Sequence, residues 1–225
     1  MTSLDELKRK PQYALGGVST VAALGFGILA SRTRKPTTIL GDLRLRTLIP
    51  RYSRNAEKAA IPFGYLGKEK AVVPLAGLTA AKLLSEGRKT GAAAVAVACA
   101  AAIGASHLFD VILKQRTPPP GRKAPADPHF PSGHALHSTA LLGISAWILS
   151  REGLIDNKTA ATSAGVLALA LGFDRLVQDR HWTSDVVAGW LAAISIAGLV
   201  ATGYESARPR RVKRARSAAQ RKRTP

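Results

Sequence analysis

Residues 186–204 read VVAGWLAAISIAGLVATGY, a run of 19 residues without a charged side chain. A bilayer core of about 30 Å needs about 20 apolar residues in a helix, so this run predicts a membrane-spanning helix. Pro11–Ser31 and Gly91–Phe109 meet the same requirement. Three further runs are shorter or interrupted: Ala71–Leu84, Ser132–Ser150 and Thr159–Phe173. Together the six runs predict an all-α fold, a six-helix transmembrane bundle.

Two other interpretations of these runs stay open. The weaker runs are rich in Ala and Gly, which suits close helix packing in a membrane, but a soluble all-α core is the alternative. Pro11–Ser31 could also be a cleaved signal peptide. No clear small-x-small cleavage site is present, and Arg32, Arg34 and Lys35 follow directly. We therefore expect this run to be retained as the first helix.

The charge of the chain is strongly basic. There are 33 Lys and Arg against 14 Asp and Glu, a formal net charge of +19, which favours an anionic partner. We expect the basic tail, residues 205–225, to be disordered and attracted to anionic membrane lipids. It lacks interleaved aromatic residues, and no DNA-binding motif accompanies it, so no nucleic-acid partner is expected.

Six spans would place both termini on the same side of the membrane, and the basic tail makes that side cytoplasmic. The segment Arg32–Lys70 would then lie outside, although its own positive charge disagrees with this orientation. With Leu43, Leu45 and Leu48 among arginines, it fits an interfacial amphipathic helix; a solvated linker is the alternative. The Ala-, Arg- and Gly-rich composition is consistent with a high-GC bacterium, hence with a bacterial cytoplasmic membrane.

Two polar segments interrupt the apolar runs. Residues 131–134, Pro-Ser-Gly-His, have the character of a helix start, where free N–H groups attract a phosphate. Arg175, His181 and Asp185 lie between the last two runs. An Asp four residues after a His can bind one ring nitrogen and leave the other free to attack. In the six-helix arrangement His134 and His181 lie at the same membrane face.

These segments resemble the type 2 phosphatidic acid phosphatase superfamily, which includes lipid phosphate phosphatases, prenyl diphosphate phosphatases and vanadium haloperoxidases. Its motifs are Lys-x6-Arg-Pro, Pro-Ser-Gly-His and Ser-Arg-x5-His-x3-Asp. Residues 131–134 match the second fully. Arg175, His181 and Asp185 match the third in spacing, with Asp174 in place of its serine. The resemblance implies a phosphatase core at about residues 60–204, within a membrane domain 13–204 that follows a cytoplasmic N-terminus, 1–12.

The first motif departs from the family. Between residues 110 and 123 no lysine stands seven residues before an Arg-Pro. Lys114 and Arg116 are the best candidates for the missing cations, and Arg122 and Lys123 are the reserves. The membership of the phosphate pocket on this side is therefore open.

The resemblance also implies a mechanism without metal or cofactor. His181 would attack phosphorus and form a phosphohistidine, Asp185 would orient His181, and His134 would protonate the leaving oxygen and then activate water. The substrate would be a lipid phosphomonoester or diphosphate, of the phosphatidate or polyprenyl type. Phosphate-binding groups would come from Arg175, Ser132, Gly133 and Lys114 or Arg116.

Other functions remain as alternatives. A zinc site is disfavoured because the five histidines include no His-x3-His or His-Glu-x2-His pair. The same active site could serve a lipid phosphotransferase or a vanadate-dependent peroxidase, although the membrane runs argue against the peroxidase. A non-catalytic basic membrane protein is a third possibility, supported by the degraded first motif.

Overall fold

The structure, a computed structural model, describes residues 11–33, 41–50, 58, 62–113, 116, 119 and 130–221, with side chains as far as residue 208. These residues form helices, turns and bends, and none of them lies in a strand. The helices are α1 (Pro11–Arg32), α2 (Asp42–Leu48), α3 (Glu69–Ser85), α4 (Lys89–Ile112), α5 (Gly133–Arg151), α6 (Asn157–Val177) and α7 (Thr183–Arg221).

Local chemistry accounts for several helix ends. Ser132 precedes α5 and its side chain accepts from the N–H of Ala135 at 3.5 Å, while Asp156 precedes α6 and accepts from the N–H of Thr159 at 2.9 Å. Such caps satisfy donors that have no partner inside the helix. Gly87 and Gly153 follow α3 and α5 with φ of 71° and 74°, the left-handed conformation that commonly ends a helix.

The all-helical prediction is confirmed for the described residues, and each of the six predicted runs forms a helix. Four segments are long and apolar enough to cross a membrane: Pro11–Arg32, Lys89–Ile112, Asn157–Val177 and Thr183–Arg208. Helices α3 and α5 are not among these four, so a count of six spans stays a prediction. Large apolar side chains on the outer faces, such as Val21, Leu78 and Leu169, are 70%, 69% and 58% exposed, as expected for helices that face lipid.

The segment between the first two runs contains the short helix α2, and its amphipathic character stays a prediction. Leu43, Leu45 and Leu48 on α2 are exposed, while Asp42 at its start is buried. Its position on the membrane surface stays a prediction.

The last helix continues into the basic tail. The backbone of α7 is helical as far as Arg221, beyond the apolar run that ends at residue 204. The physical reason is that Ala, Arg, Lys and Gln are good helix formers, and extending an existing helix avoids the cost of starting a new one.

Helices α5 and α7 form the centre of the bundle. α5 packs against α4, α6 and α7; α1 lies along α7, and α3 along α4. A Cβ placed on Gly189 would lie 2.6 Å from the carbonyl oxygen of Ser132 and 3.0 Å from the Cβ of Ala135. Glycine at this position therefore allows the start of α7 to approach the start of α5, which carries the candidate site.

Polar side chains join the helices at the opposite end of the bundle. Glu152 forms an ion pair with Arg88 at 2.5 Å and accepts from the Tyr204 hydroxyl at 2.5 Å. Arg151 forms an ion pair with Glu205 at 2.7 Å. These contacts tie the α3–α4 and α5–α6 turns to α7, so they hold the frame on which the site is built.

Candidate active site

The two polar segments meet at one end of the bundle. His134 lies in the first turn of α5, Arg175 in the last turn of α6, His181 between α6 and α7, and Asp185 in the first turn of α7. The N–H of Ser132 donates to the carbonyl oxygen of Asp185 at 3.0 Å. This bond joins the segment before α5 directly to α7.

His181 faces Asp185 through its Nδ1 atom. The distance from Nδ1 to Asp185 Oδ2 is 3.7 Å, and Asp185 has no exposed surface. The same Oδ2 accepts from the N–H of Trp182 at 2.8 Å, which fixes the orientation of the carboxylate. A carboxylate held beside Nδ1 orients the imidazole and stabilises its charged form.

His134 is the second imidazole of the site. Its Nε2 atom is buried and has no hydrogen-bond partner among the described residues. The residue lies at the start of α5, outside the four candidate spans. Burial lowers the pKa of His134, and the charges of Arg175, His181 and Lys68 lower it further. The protonated form of His134 is therefore disfavoured in the empty site, and the charges of His181 and Arg175 act on this imidazole.

Arg175 is held by its own neighbour. Its Nε atom donates to Asp174 Oδ2 at 3.1 Å, and its Nη2 atom also contacts that oxygen. Asp174 is 1% exposed and accepts from Gln178 Nε2 at 2.9 Å on both oxygens. The guanidinium that the sequence predicts to bind phosphate is thus paired with the residue that replaces the family's serine.

Arg116 forms a buried cluster behind Asp185. Its Nη1 atom donates to Asp185 Oδ1 and to Ser184 Oγ, both at 2.6 Å. Its Nη2 atom donates to Asp42 Oδ2 at 2.7 Å. The guanidinium also lies over the Trp182 ring, 5.8 Å from its centroid. In this structure Arg116 therefore holds two carboxylates, and its predicted role in binding phosphate stays a prediction.

A glycine-containing segment covers the site. A Cβ on Gly64 would overlap Arg175 Nη2, and a Cβ on Gly67 would lie 2.9 Å from Cδ2 and 3.0 Å from Cβ of His134. Both glycines are buried. The segment 62–68 can lie directly on the two side chains only because these positions have no side chain of their own.

Comparison with known proteins bears on these motifs. Residues 106–209 match the family model described as PAP2 superfamily. The resemblance to the PAP2 superfamily is confirmed. The matched part contains residues 131–134, Arg175, His181 and Asp185, and at the level of the family it supports a membrane phosphatase.

The fold is also that of a known PAP2 structure. It is similar to the crystal structure described as the first transmembrane PAP2 type phosphatidylglycerolphosphate phosphatase from Bacillus subtilis, with a TM-score of 0.72 and 19% sequence identity. The alignment covers 84% of this chain and 96% of that chain. A likeness at this identity establishes a shared fold. No curated protein matches the sequence.

Of the other residues predicted to bind phosphate, the structure describes Ser132 and Gly133 but not Lys114. Ser132 is fully buried, and its hydroxyl caps α5. Gly133 begins α5, so its N–H has no partner within the helix. Lys114 lies outside the described residues, as do the two reserve cations and His129.

Histidine and acidic side chains form one further contact group near the site. His107 Nε2 and His137 Nε2 lie 3.3 and 3.8 Å from Glu69 Oε1. Within the part of the chain that the structure describes, no group of three or more His, Cys, Asp or Glu side chains is arranged to hold a metal ion. The zinc alternative finds no support there.

Sequence reasoning missed several residues at the site. Asp42 and Ser184 complete the cluster around Arg116, and Gly64 and Gly67 belong to the segment that lies on Arg175 and His134. Lys68 ends this segment, and its charge acts on His134. The only available signal for Asp42 was an isolated acid in an otherwise basic stretch, and the glycines carried no recognisable motif.

Proposed function

We propose that the protein is an integral membrane phosphatase that hydrolyses a phosphomonoester or diphosphate on a lipid through a phosphohistidine intermediate. One observation carries the proposal. His181 faces the buried carboxylate of Asp185 at the same end of the bundle where the buried Nε2 atom of His134 has no partner among the described residues. An oriented nucleophile and an acid–base group thus share one site.

The proposed reaction has two steps. His181 attacks phosphorus through its Nε2 atom, forming a P–N bond while the bond to the lipid oxygen breaks. His134 gives its proton to that oxygen. In the second step His134 takes a proton from water, which attacks phosphorus and breaks the P–N bond. His134 must be protonated to act as the acid in the first step, and the negative charge of a bound phosphate favours that protonated form.

Phosphate binding is proposed to depend on cations and backbone donors, without a metal ion. The N–H groups in the first turn of α5 point towards an incoming anion. Arg175 would supply a guanidinium, for which the phosphate competes with Asp174. Lys114 and Arg116 remain candidates for the further cation, and Ser132 and Gly133 for the cradle. Such pre-set donors stabilise the charge that develops in the transition state.

The substrate is proposed to be a lipid because the site lies at the end of a bundle with apolar outer faces. The similar Bacillus subtilis protein is described as a phosphatidylglycerolphosphate phosphatase, which places that lipid beside phosphatidate and polyprenyl phosphates as substrates to test. The site is proposed to face outward from a bacterial cytoplasmic membrane, with both termini inside. Anionic lipids would bind the basic tail, residues 205–225.

The test is phosphate release by purified protein in detergent from phosphatidic acid, phosphatidylglycerophosphate and polyprenyl mono- and diphosphates, with EDTA present. We expect activity on at least one of these lipids, its loss in His181→Ala, and a decrease of about 10²–10⁴-fold in His134→Ala. The matched control is His107→Ala, whose side chain is 64% exposed and which should retain activity. Full activity in His181→Ala would refute the proposal, and phosphate recovered only on an added alcohol would indicate transfer instead.

A further inference from the structure

Asp42 is a buried acid at the start of a helix whose leucines are exposed. It is 2% exposed, whereas Leu43 and Leu48 on the same helix are 56% and 77% exposed. Its Oδ1 atom accepts from the N–H of Ser184 at 3.0 Å. Its Oδ2 atom accepts from the Ser184 hydroxyl at 2.6 Å and from Arg116 Nη2 at 2.7 Å. The carboxylate is therefore fully engaged by donors next to Asp185.

Arg116 connects Asp42 to the proposed catalytic carboxylate. Its Nη2 atom binds Asp42, and its Nη1 atom binds Asp185 Oδ1 at 2.6 Å. The other oxygen of Asp185, Oδ2, is the one that lies 3.7 Å from His181 Nδ1. One oxygen of the Asp185 carboxylate is thus bound by Arg116, while the other faces the imidazole of His181.

The charges of this cluster also matter. Two carboxylates share one guanidinium, so the group formed by Asp42, Arg116 and Asp185 has a net negative charge. Without Asp42 the guanidinium would neutralise Asp185 alone. A negative carboxylate next to the imidazole is what stabilises the charged histidine as the reaction proceeds.

We propose that Asp42, which lies outside the three PAP2 motifs, is a positioning residue of the active site that acts through Arg116 and Ser184. It holds Arg116 in place and keeps the charge and orientation of Asp185 directed at His181. The inference rests on the proposed function, because it assigns Asp42 to the support of the His181 nucleophile.

The test is steady-state and pre-steady-state kinetics of Asp42→Asn on the best lipid phosphate found for the wild type. The substitution keeps the shape and one acceptor oxygen but removes the charge. We expect kcat and the rate of phosphoenzyme formation to fall together by about 10–100-fold, by analogy with the loss seen when a hydrogen-bond partner behind a metal-ligating side chain is removed. KM should change less than kcat, because Asp42 contacts neither His134 nor Arg175 in the described structure and reaches the phosphate site only through Arg116.

Two further variants distinguish positioning from simple docking of α2. Arg46→Gln removes a different ion pair of the same helix, with Asp179 at 3.0 Å, and should lower kcat much less. Ser184→Ala removes the hydroxyl between Asp42 and Arg116. In the double variant, kcat should fall by less than the product of the two single-variant factors, because the effects of neighbours in one hydrogen-bond network are not additive.

The outcomes separate this inference from the proposed function. Wild-type kcat in Asp42→Asn, or equal losses in Asp42→Asn and Arg46→Gln, would overturn the role of Asp42 while His181→Ala remains inactive. If Asp42→Asn does not fold, wild-type kcat in Ser184→Ala would overturn it. A wild-type protein without phosphatase activity would overturn the proposed function and this inference with it.

Discussion

Gly67→Ala tests the close contact between the covering segment and His134. A Cβ at this position would lie 2.9 Å from Cδ2, 3.0 Å from Cβ and 3.2 Å from Cγ of His134. Carbon atoms in contact prefer about 3.5–4.0 Å, so the two groups must separate by about 0.6–1.1 Å. The His134 Cβ is close to its backbone and cannot swing away, so the imidazole itself or the segment over it must move.

A displacement of about 1 Å at a reacting group costs about 10²-fold in rate. We therefore expect kcat on a lipid phosphate to fall by about 10²-fold in Gly67→Ala, while the crowding lowers the free energy of unfolding by about 1–3 kcal/mol. The matched control is Gly77→Ala on α3, where a Cβ meets nothing within 4 Å. That variant should keep wild-type kcat and be as stable as the wild type or more so. Wild-type kcat in Gly67→Ala would refute the argument that this contact positions His134.

Three further predictions concern the surroundings of the site and the frame. Gly64→Ala should raise KM more than it lowers kcat, because its Cβ would displace the Arg175 guanidinium; a change confined to kcat would contradict this. Asp174→Ser should lower KM about fivefold or more, since phosphate no longer competes with a charge-assisted bond to Arg175; a raised KM would show that Asp174 instead orients the guanidinium. Glu152→Gln should lower the free energy of unfolding by about 1–3 kcal/mol at neutral pH. Burial raises the pKa of Glu152, but hydrogen bonds from Tyr204 and Arg88 outweigh it and lower the pKa below 4.5, so this contribution is present above pH 4.5 and is lost as pH falls through the lowered pKa. Thermal unfolding against pH should therefore show the two proteins converging in acid.

Much of the architecture could be predicted from local patterns. Uncharged runs of helical length located all six long helices, because burial in a bilayer or a bundle core selects for apolar side chains along the whole segment. The short spacing of Arg175, His181 and Asp185 placed these residues around a single turn between two helices. The antiparallel order of the helices then put His134 at the same end.

The cluster that Arg116, Asp42 and Ser184 form at Asp185 could not be predicted from local patterns. Arg116 contacts Asp42 and Asp185, which are 74 and 69 residues away in the chain. Pairs of this kind depend on how helices pack. A single buried acid produces no repeating pattern in the sequence from which its burial could be predicted. For the same reason the sequence offered Arg116 as a phosphate ligand by position, with no sign that two carboxylates would hold it.

The covering glycines were missed for a different reason. A glycine is usually a sign of a turn, and the short apolar segment 61–67 gives no sign that Gly64 and Gly67 lie against Arg175 and His134.

The most direct test of the proposed mechanism is to locate the phosphorylated residue. Wild-type protein would be mixed with lipid labelled with ³²P in the phosphate, quenched in base within one turnover, and mapped by mass spectrometry. The proposal predicts a base-stable, acid-labile phosphate on His181 that is absent in His181→Ala and accumulates in His134→Ala, in which hydrolysis of the intermediate is slowed. Rapid turnover with phosphate on another residue, or with no covalent phosphate in any variant, would contradict it.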